Sequence, residues 1–366
     1  MSSVQTDPSW MARVAEMAQR SDEIAEQMNL PEVATNSARV VQLARERGGL
    51  ERVVRLYHDY RALMEQVEEM QQILDDPEAD ADLRALATEE LPGLQERRET
   101  LLDALKEKLV TGDEAAIHSI ILEVRAGTGG DEAALFAGEL LNMYLVYAKR
   151  MGFKAETLSL SPSDLGGVKE AIINITGEEV YLQYRFEAGG HRVQRVPRTE
   201  AQGRIHTSAA TVAVLPEPEE IAVDIDWEKD VIEHVSRAGG PGGQNVNKVS
   251  SAIKLEHIAT GITVSMRDEK SQHKNRARAR RVLLTRVYDQ IQQQQRQQIE
   301  AERRGMVGSG DRSDRIRTYN FPQDRCTDHR INKDIFGLDR ILAGGEFDEF
   351  RAELHDRDLR LRLEAL

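Results

Sequence analysis

HSIILEVRAGTGGDEAALFAGELLNMYLVYAKRMG, residues 118–152, changes periodicity in its middle. Ile117 to Val124 alternate and are β-branched, which reads as a strand. Gly127-Thr128-Gly129-Gly130 reads as a turn, and Asp131 and Glu132 then open a helical run from Ala133 to Lys149. Acids in a first helical turn suit the positive end of the dipole and can cap free N–H groups. A glycine turn before a helix invites comparison with a phosphate loop. Here no lysine follows the glycines, and acids stand where a phosphate would sit, so a nucleoside triphosphate is not expected. Two readings remain: a plain strand–helix connection, or a helix N-terminus whose backbone groups meet a base edge. A strand feeding a helix, within a chain of mixed segments, predicts an α+β multidomain protein.

N-terminal to this stretch, residues 10–110 read as helices. Leu50, Val53, Val54, Tyr57, Tyr60, Leu63, Met64, Val67 and Met70 recur at helical spacing. Pro31 and the DDPEADAD stretch around Pro77 mark breaks, so a helical hairpin or three-helix arm is expected. It is either a structural spacer or a docking surface. The net charge of −14 over 366 residues hides a contrast. Residues 1–116 carry 25 Asp+Glu against 13 Lys+Arg, whereas residues 270–286 carry seven Lys+Arg and no acid. The acidic arm argues against uniform coating by nucleic acid, and the basic patch argues for a phosphate-rich partner at one place. Charged residues make up 31% of the chain, and no apolar run is long enough to span a bilayer. The N-terminus lacks signal-peptide order, and the single cysteine, Cys326, allows no intramolecular disulfide, so the expected location is cytoplasmic.

Residues 155–215 look β-rich, with strands at 156–160, 171–175, 180–186 and 209–215 and a turn at Gly189-Gly190. Between strands lies a donor-rich loop carrying Gln194, Arg195, Pro197, Thr199, Gln202, Arg204, His206 and Thr207. Such side chains read bases in single-stranded RNA. Residues 217–226 form an acidic linker. A strand at 231–235, a hairpin at 251–266 turning at Thr260-Gly261, and a long helix from the SQHKNRARARR stretch make a second small domain. Gly305 to Gly310 ends the helix as a hinge, 316–332 crosses as an extended piece, and 333–366 return to helix.

Gly239-Gly240-Pro241-Gly242-Gly243-Gln244-Asn245-Val246-Asn247 is written for neither helix nor strand, since glycine weakens both and proline lacks the N–H. It offers no nucleophile, no metal-ligand cluster and no carboxylate pair. It offers backbone and one neutral amide.

Several motifs together resemble the class I bacterial peptide chain release factors, of the type that reads UAA and UAG. They are RAGTGGDEAALFAGEL at 125–140, FEAGGHRVQRVP at 186–197, GRIHTS at 203–208, AGGPGGQNVNKVSS at 238–251, DEKSQHKNRARA at 268–279 and RIRTYNFPQDRCTDHRIN at 315–332. The codon-reading tripeptide of that type, Pro-x-Thr, is Pro197-Arg198-Thr199 here, and the Ser-Pro-Phe of the sister type is absent. Arg198 departs from the small residue usual there, and Cys326 from an aliphatic one.

The resemblance implies the following organisation. Residues 1–112 are the acidic arm, 113–220 completed by 313–335 a codon-recognition α+β domain, and 221–304 the domain carrying the Gly-Gly-Gln tip. A switch loop spans 305–320, and the helical segment 333–366 packs on the core. The first base is met by the helix start at Gly129 and Glu132, and Thr199 contacts the first and second. His206 separates the second from the third, and Gln194 and Thr207 accept either purine. Gly242, Gly243 and Gln244 promote hydrolysis of the peptidyl-tRNA ester, with the Gln244 N–H as the stabilising donor. Gln244 is also a site for N5-methylation by a glutamine methyltransferase. Lys270, Lys274, Arg276, Arg278, Arg280 and Arg281 grip RNA phosphates. Implied partners are the rRNA of both subunits, the stop codon, P-site peptidyl-tRNA and a class II release-factor GTPase. No cofactor, metal or membrane is implied, and the expected state is a monomer that is not a stand-alone enzyme. The rival readings are a codon-independent ribosome-rescue hydrolase and an RNA-binding module without hydrolytic role.

Overall fold

The computed structural model describes residues 9–34, 36–197, 200, 202–218, 225–237, 250–308 and 313–365. Two units separate by contacts: Met1–Pro216 with Ser309–Leu366, and Glu217–Gly308. The fold is α+β and multidomain, as expected.

The first unit opens with helices α1 (Ser9–Asn29), α2 (Pro31–Ala34), α3 (Ser37–Asp75) and α4 (Ala81–Ala115). The breaks fall where the prolines and caps predict. Pro31 starts α2; the Asn36 side chain accepts from the Arg39 amide at 3.2 Å, and that of Asp80 accepts from the Asp82 amide at 2.9 Å. Trp10, Met11, Val14, Val53 and Leu105 bury the faces that bind the helices together.

An eight-stranded sheet follows, in the order β11-β10-β9-β4-β5-β1-β3-β2. Its strands are β1 (Ser119–Ala126), β2 (Lys154–Pro162), β3 (Val168–Thr176), β4 (Gly189–Arg195), β5 (His206–Pro216), β9 (Arg317–Asn320), β10 (Arg325–Asp328) and β11 (Lys333–Phe336). All pair antiparallel except β4 with β9, which run parallel. Helix α5 (Asp131–Arg150) buries Phe136, Leu140, Tyr144 and Tyr147 against the strands. Short α6 (Val180–Tyr184), then α8 (Leu338–Leu342) and α9 (Asp348–Glu364) near the C-terminus, complete the core, with Phe347, Phe350 and Leu354 buried in it. Arg185 ties the arm to this core, donating to Glu114 on α4 at 2.6 Å and forming an ion pair with Asp358 on α9 at 2.7 Å.

Three expectations need correction. Residues 180–186 are not a strand but α6 followed by a short 3-10 turn, because Val180 and Tyr184 share a buried side at i, i+4. Gly189-Gly190 is not a turn but the start of β4. The Ile316 amide donates to the Gly190 carbonyl at 2.8 Å, and a Cβ on Gly190 would meet the Asp314 carbonyl oxygen at 2.1 Å, so the glycine permits close approach of two backbones. Residues 333–336 are strand β11 rather than helix, paired with β10.

The second unit is a three-stranded antiparallel sheet, β6 (Val231–Ser236), β7 (Ala252–His257) and β8 (Thr263–Met266), under helix α7 (Gln272–Val307). Asn275, Ala279, Leu283 and Val287 form its buried stripe at four-residue spacing. None of residues 292–307 is buried, as the glutamine-rich composition there requires. The helix continues through Gly305, and Gly308 closes it with φ 59° and its amide on the Arg304 carbonyl.

Candidate nucleic-acid interface

The expected base-reading residues gather at one end of β4 and β5. Antiparallel register sets Gln194 opposite Thr207 and Arg195 opposite His206. Of the expected loop, 194–195 and 206–207 therefore belong to strands, and only the stretch between them connects. The turn before α5 is strapped to the same place. The Gly127 amide donates to the Ala209 carbonyl, and the Ala209 amide to the Thr128 carbonyl, both at 2.9 Å. Gly129 sits at φ +143°, where a Cβ would lie 2.4 Å from Ser208 Oγ, so this turn can lie against β5 only with glycine there. No side chain caps α5 at Gly130. Gly129, the α5 start, Gln194, His206 and Thr207 are thus brought together, with Pro197 at the edge. Arg198 and Thr199 lie outside the described residues.

Two side chains organise this end. Arg195, expected among the loop donors, is mostly buried instead. Its Nε donates to Glu132 Oε1 at 2.5 Å, its Nη1 to Glu139 at 2.6 and 2.9 Å, and its guanidinium lies 4.9 Å from the Phe321 ring centre. Burial opposes its charge, and the two carboxylates more than compensate, raising its pKa. Glu132 is buried with it, and its Oε2 has no hydrogen-bond partner among the described residues. At the α5 start the Glu132 side chain is thus turned towards Arg195, while Asp131 is exposed. Glu200 is the second organiser and was missed in the sequence. Its carboxylate lies 2.7 Å from His206 Nε2 and accepts from the Gln202 amide at 2.8 Å. A glutamate in a donor-rich loop carries no sequence signal of its own, except that it must find a donor.

Beneath lies a buried charge cluster. Arg317 on β9 donates to Glu187 at 2.6 and 2.9 Å and to Asp328 at 3.2 and 3.3 Å. Tyr144 Oη donates to Glu187 at 3.1 Å, and His191 lies 2.9 Å from the Glu187 carbonyl oxygen. Burial, then the Arg317 charge, hold His191 down to about 4. Asn320 Nδ2 reaches Gln194 Oε1 at 3.5 Å, so β9 touches the side chain of Gln194 on β4 directly.

In the second unit, Gly242, Gly243 and Gln244 lie outside the described residues. Of the six expected phosphate contacts, Lys270, Lys274, Arg278, Arg280 and Arg281 are exposed. Lys274, Arg278 and Arg281 share one face of α7 by their spacing, while Arg278 reaches Glu269 only at 3.9 Å. Arg280 lies 5.0 Å over the Trp227 ring. Arg276 departs from the expectation: it is taken by Glu233, with bonds of 2.6, 2.9 and 3.0 Å.

A PCRF domain model matches residues 17–212, and an RF-1 domain model matches residues 219–330. The chain is 46% identical over 347 residues to peptide chain release factor 1 of Lacticaseibacillus casei (strain BL23), covering 95% of this chain and 96% of that one. It is 48% identical over 354 residues to peptide chain release factor 1 of Zymomonas mobilis subsp. mobilis, covering 97% and 98%. Among solved structures, RF2 of Thermus thermophilus is similar at 29% identity and TM-score 0.52, with 96% of each chain covered. Two domain matches end to end, and relatives alike over nearly their whole length, place this chain in the peptide chain release factor family.

Proposed function

We propose that this chain ends translation. It reads UAA and UAG in the ribosomal A site and promotes hydrolysis of the peptidyl-tRNA ester in the peptidyl-transferase centre. The observation that carries the reading is the convergence of the α5 start, Gln194, His206 and Thr207 on one end of the β4–β5 ladder. Backbone groups at Gly129 and Glu132 meet the first uridine, and Thr199 the first and second bases. His206, with Glu200 beside it, stacks between the second and third bases, and Gln194 opposite Thr207 serves either purine. In this reading residues 113–220 with 313–335 recognise the codon, 221–304 carry the Gly-Gly-Gln tip, and 305–320 couple the two.

The chemistry needs an oriented water and a donor for the developing oxyanion. Gln244 supplies that donor from its backbone N–H, and Gly242 and Gly243 allow the backbone shape. The chain acts only on the ribosome, so it is no stand-alone hydrolase. A glutamine methyltransferase acting on Gln244 and a class II release-factor GTPase are its further partners, and Lys270, Lys274, Arg278 and Arg281 face RNA phosphates.

The test is peptide release from ribosomes programmed with UAA, UAG, UGA or a sense codon. Release on UAA and UAG alone is expected. Codon-independent release would indicate a rescue factor, and no release an RNA-binding module. Gln244→Pro, which deletes the N–H, is expected to lose ~10²–10³ in rate. Gln244→Ala should lose much less, and equal losses would sink the backbone assignment.

A further inference from the structure

Residues 237–251 join β6 to β7 in sequence, and the last pair of their ladder is Ser236 with Ala252. Two consecutive side chains near the start of α7 hold the two strands. Asn275 is fully buried. Its Oδ1 accepts from the Glu269 amide at 3.0 Å, and its Nδ2 donates to the carbonyls of Glu269 and Ser251, both at 2.8 Å. A buried amide with both donors and an acceptor committed to backbone is a fastener, since losing it would leave the buried Ser251 carbonyl and the part-buried Glu269 amide and carbonyl without this partner. Ser251, the residue it grips, immediately precedes β7. Arg276, next along the helix, forks onto Glu233 of β6, Nε to both carboxylate oxygens at 2.9 and 3.0 Å and Nη2 to Oε1 at 2.6 Å. Both partners are about three-quarters shielded from solvent, and the fork fixes direction as well as distance. One helical turn therefore holds the strand that leads into the glycine-rich stretch and the residue that leads out of it.

We infer that Asn275 and Arg276 are positioning residues for the Gly242-Gly243-Gln244 stretch, with Arg276 committed to Glu233 rather than to an RNA phosphate. The inference rests on the reading that this stretch promotes ester hydrolysis. A backbone donor serves a transition state only when placed to a fraction of an ångström, and a misplacement of about 1 Å can cost ~10²-fold in rate. Strands held by α7 fix the two ends from which that stretch departs. Loosening them lowers the maximal rate and leaves affinity alone, because the cations exposed on α7 are untouched.

The experiment uses the full chain on UAA-programmed ribosomes carrying peptidyl-tRNA. The maximal release rate and half-saturating concentration are measured at several salt concentrations. Arg276→Ala and Glu233→Gln are each expected to lower the maximal rate about 10-fold, within the range that misplacement allows. Half-saturation and its salt slope should stay unchanged. The double variant should be no slower than either single one, as for two ends of one interaction. The exchanged pair, Glu233→Arg with Arg276→Glu, should recover most of the rate. If Arg276 binds phosphate instead, Arg276→Ala raises half-saturation and flattens the salt slope, Glu233→Gln changes nothing, and the inference is overturned. Asn275→Ala should lose more rate than Arg276→Ala at temperatures where circular dichroism shows an intact fold; an unchanged rate removes Asn275 from the role. If the wild-type chain releases nothing on any codon, the functional reading fails on its own. Hydrogen exchange then decides the inference. Faster exchange at Arg237, Ser250 and Ser251 in the Glu233→Gln and Arg276→Ala variants, with β8 still protected, supports it, and unchanged exchange overturns it.

Discussion

Arg195 shows how one side chain can leave the role its neighbourhood suggests. It sits between Gln194 and Pro197, yet its guanidinium turns inward to Glu132 and Glu139. Removing it strands a buried carboxylate, which typically costs about 3–5 kcal/mol. Arg195→Ala should therefore lower unfolding free energy by about 3 kcal/mol in denaturant titrations, and Arg195→Lys, which keeps the charge but not the fork, by less. An equal loss in both would mean that the fork geometry, not the charge, carries the effect. His191 supports a second expectation. Buried neutral, it has a folded pKa of about 4 against 6.5 for the free group. Between those values the unfolded chain binds a proton that the folded chain refuses, so stability is present above pH 6.5 and lost as pH falls towards 4. At 1.36 kcal/mol per unit the loss from this group is on the order of 3 kcal/mol. His191→Gln should flatten the pH dependence of thermal unfolding in that window, and an unchanged profile would assign the acid sensitivity elsewhere. Neither effect is readable from the sequence, because both depend on which charges the fold buries beside which.

Among the elements, glycines separate what propensity controls from what packing controls. Gly48 and Gly49 lie inside α3, with no atom within 4 Å of an added Cβ. Each costs helix stability without return, so Gly48→Ala and Gly49→Ala should each stabilise by about 0.5–1 kcal/mol, read as a raised melting temperature. Gly190→Ala should do the opposite, since its Cβ would meet the Asp314 carbonyl oxygen. If Gly190→Ala melts like the parent chain, the close approach of β4 to residues 314–316 is not what glycine serves there. A Gly-Gly pair reads as a turn wherever local rules alone are applied, and here those rules fail because the pair starts β4. Residues 180–186 read as strand for the related reason that aromatic and β-branched residues suit strands generally. Burial of Val180 and Tyr184 at i, i+4 decided for helix.

Across the whole molecule, charge is divided rather than balanced. The chain carries a net −14, yet α7 begins with a face of exposed cations. Lys274→Ala and Arg281→Ala should each weaken ribosome binding and reduce the slope of log affinity against log salt by about 0.7–0.9. Slopes that do not change would take these residues out of the RNA contact. Legible from residue order alone are the helical arm with its breaks, the strand–turn–helix at 118–152, the long basic helix and the set of motifs that carries the family. Those features are local: spacing, caps, prolines and charge runs act within a few residues. It took the packed fold to lay β4 parallel to β9 across more than a hundred intervening residues, and to set Gln194 opposite Thr207. It alone gave Arg195 to Glu132 and Arg276 to Glu233. Strand register and the partner of a buried charge are settled by packing and desolvation between distant segments, and no local pattern encodes either.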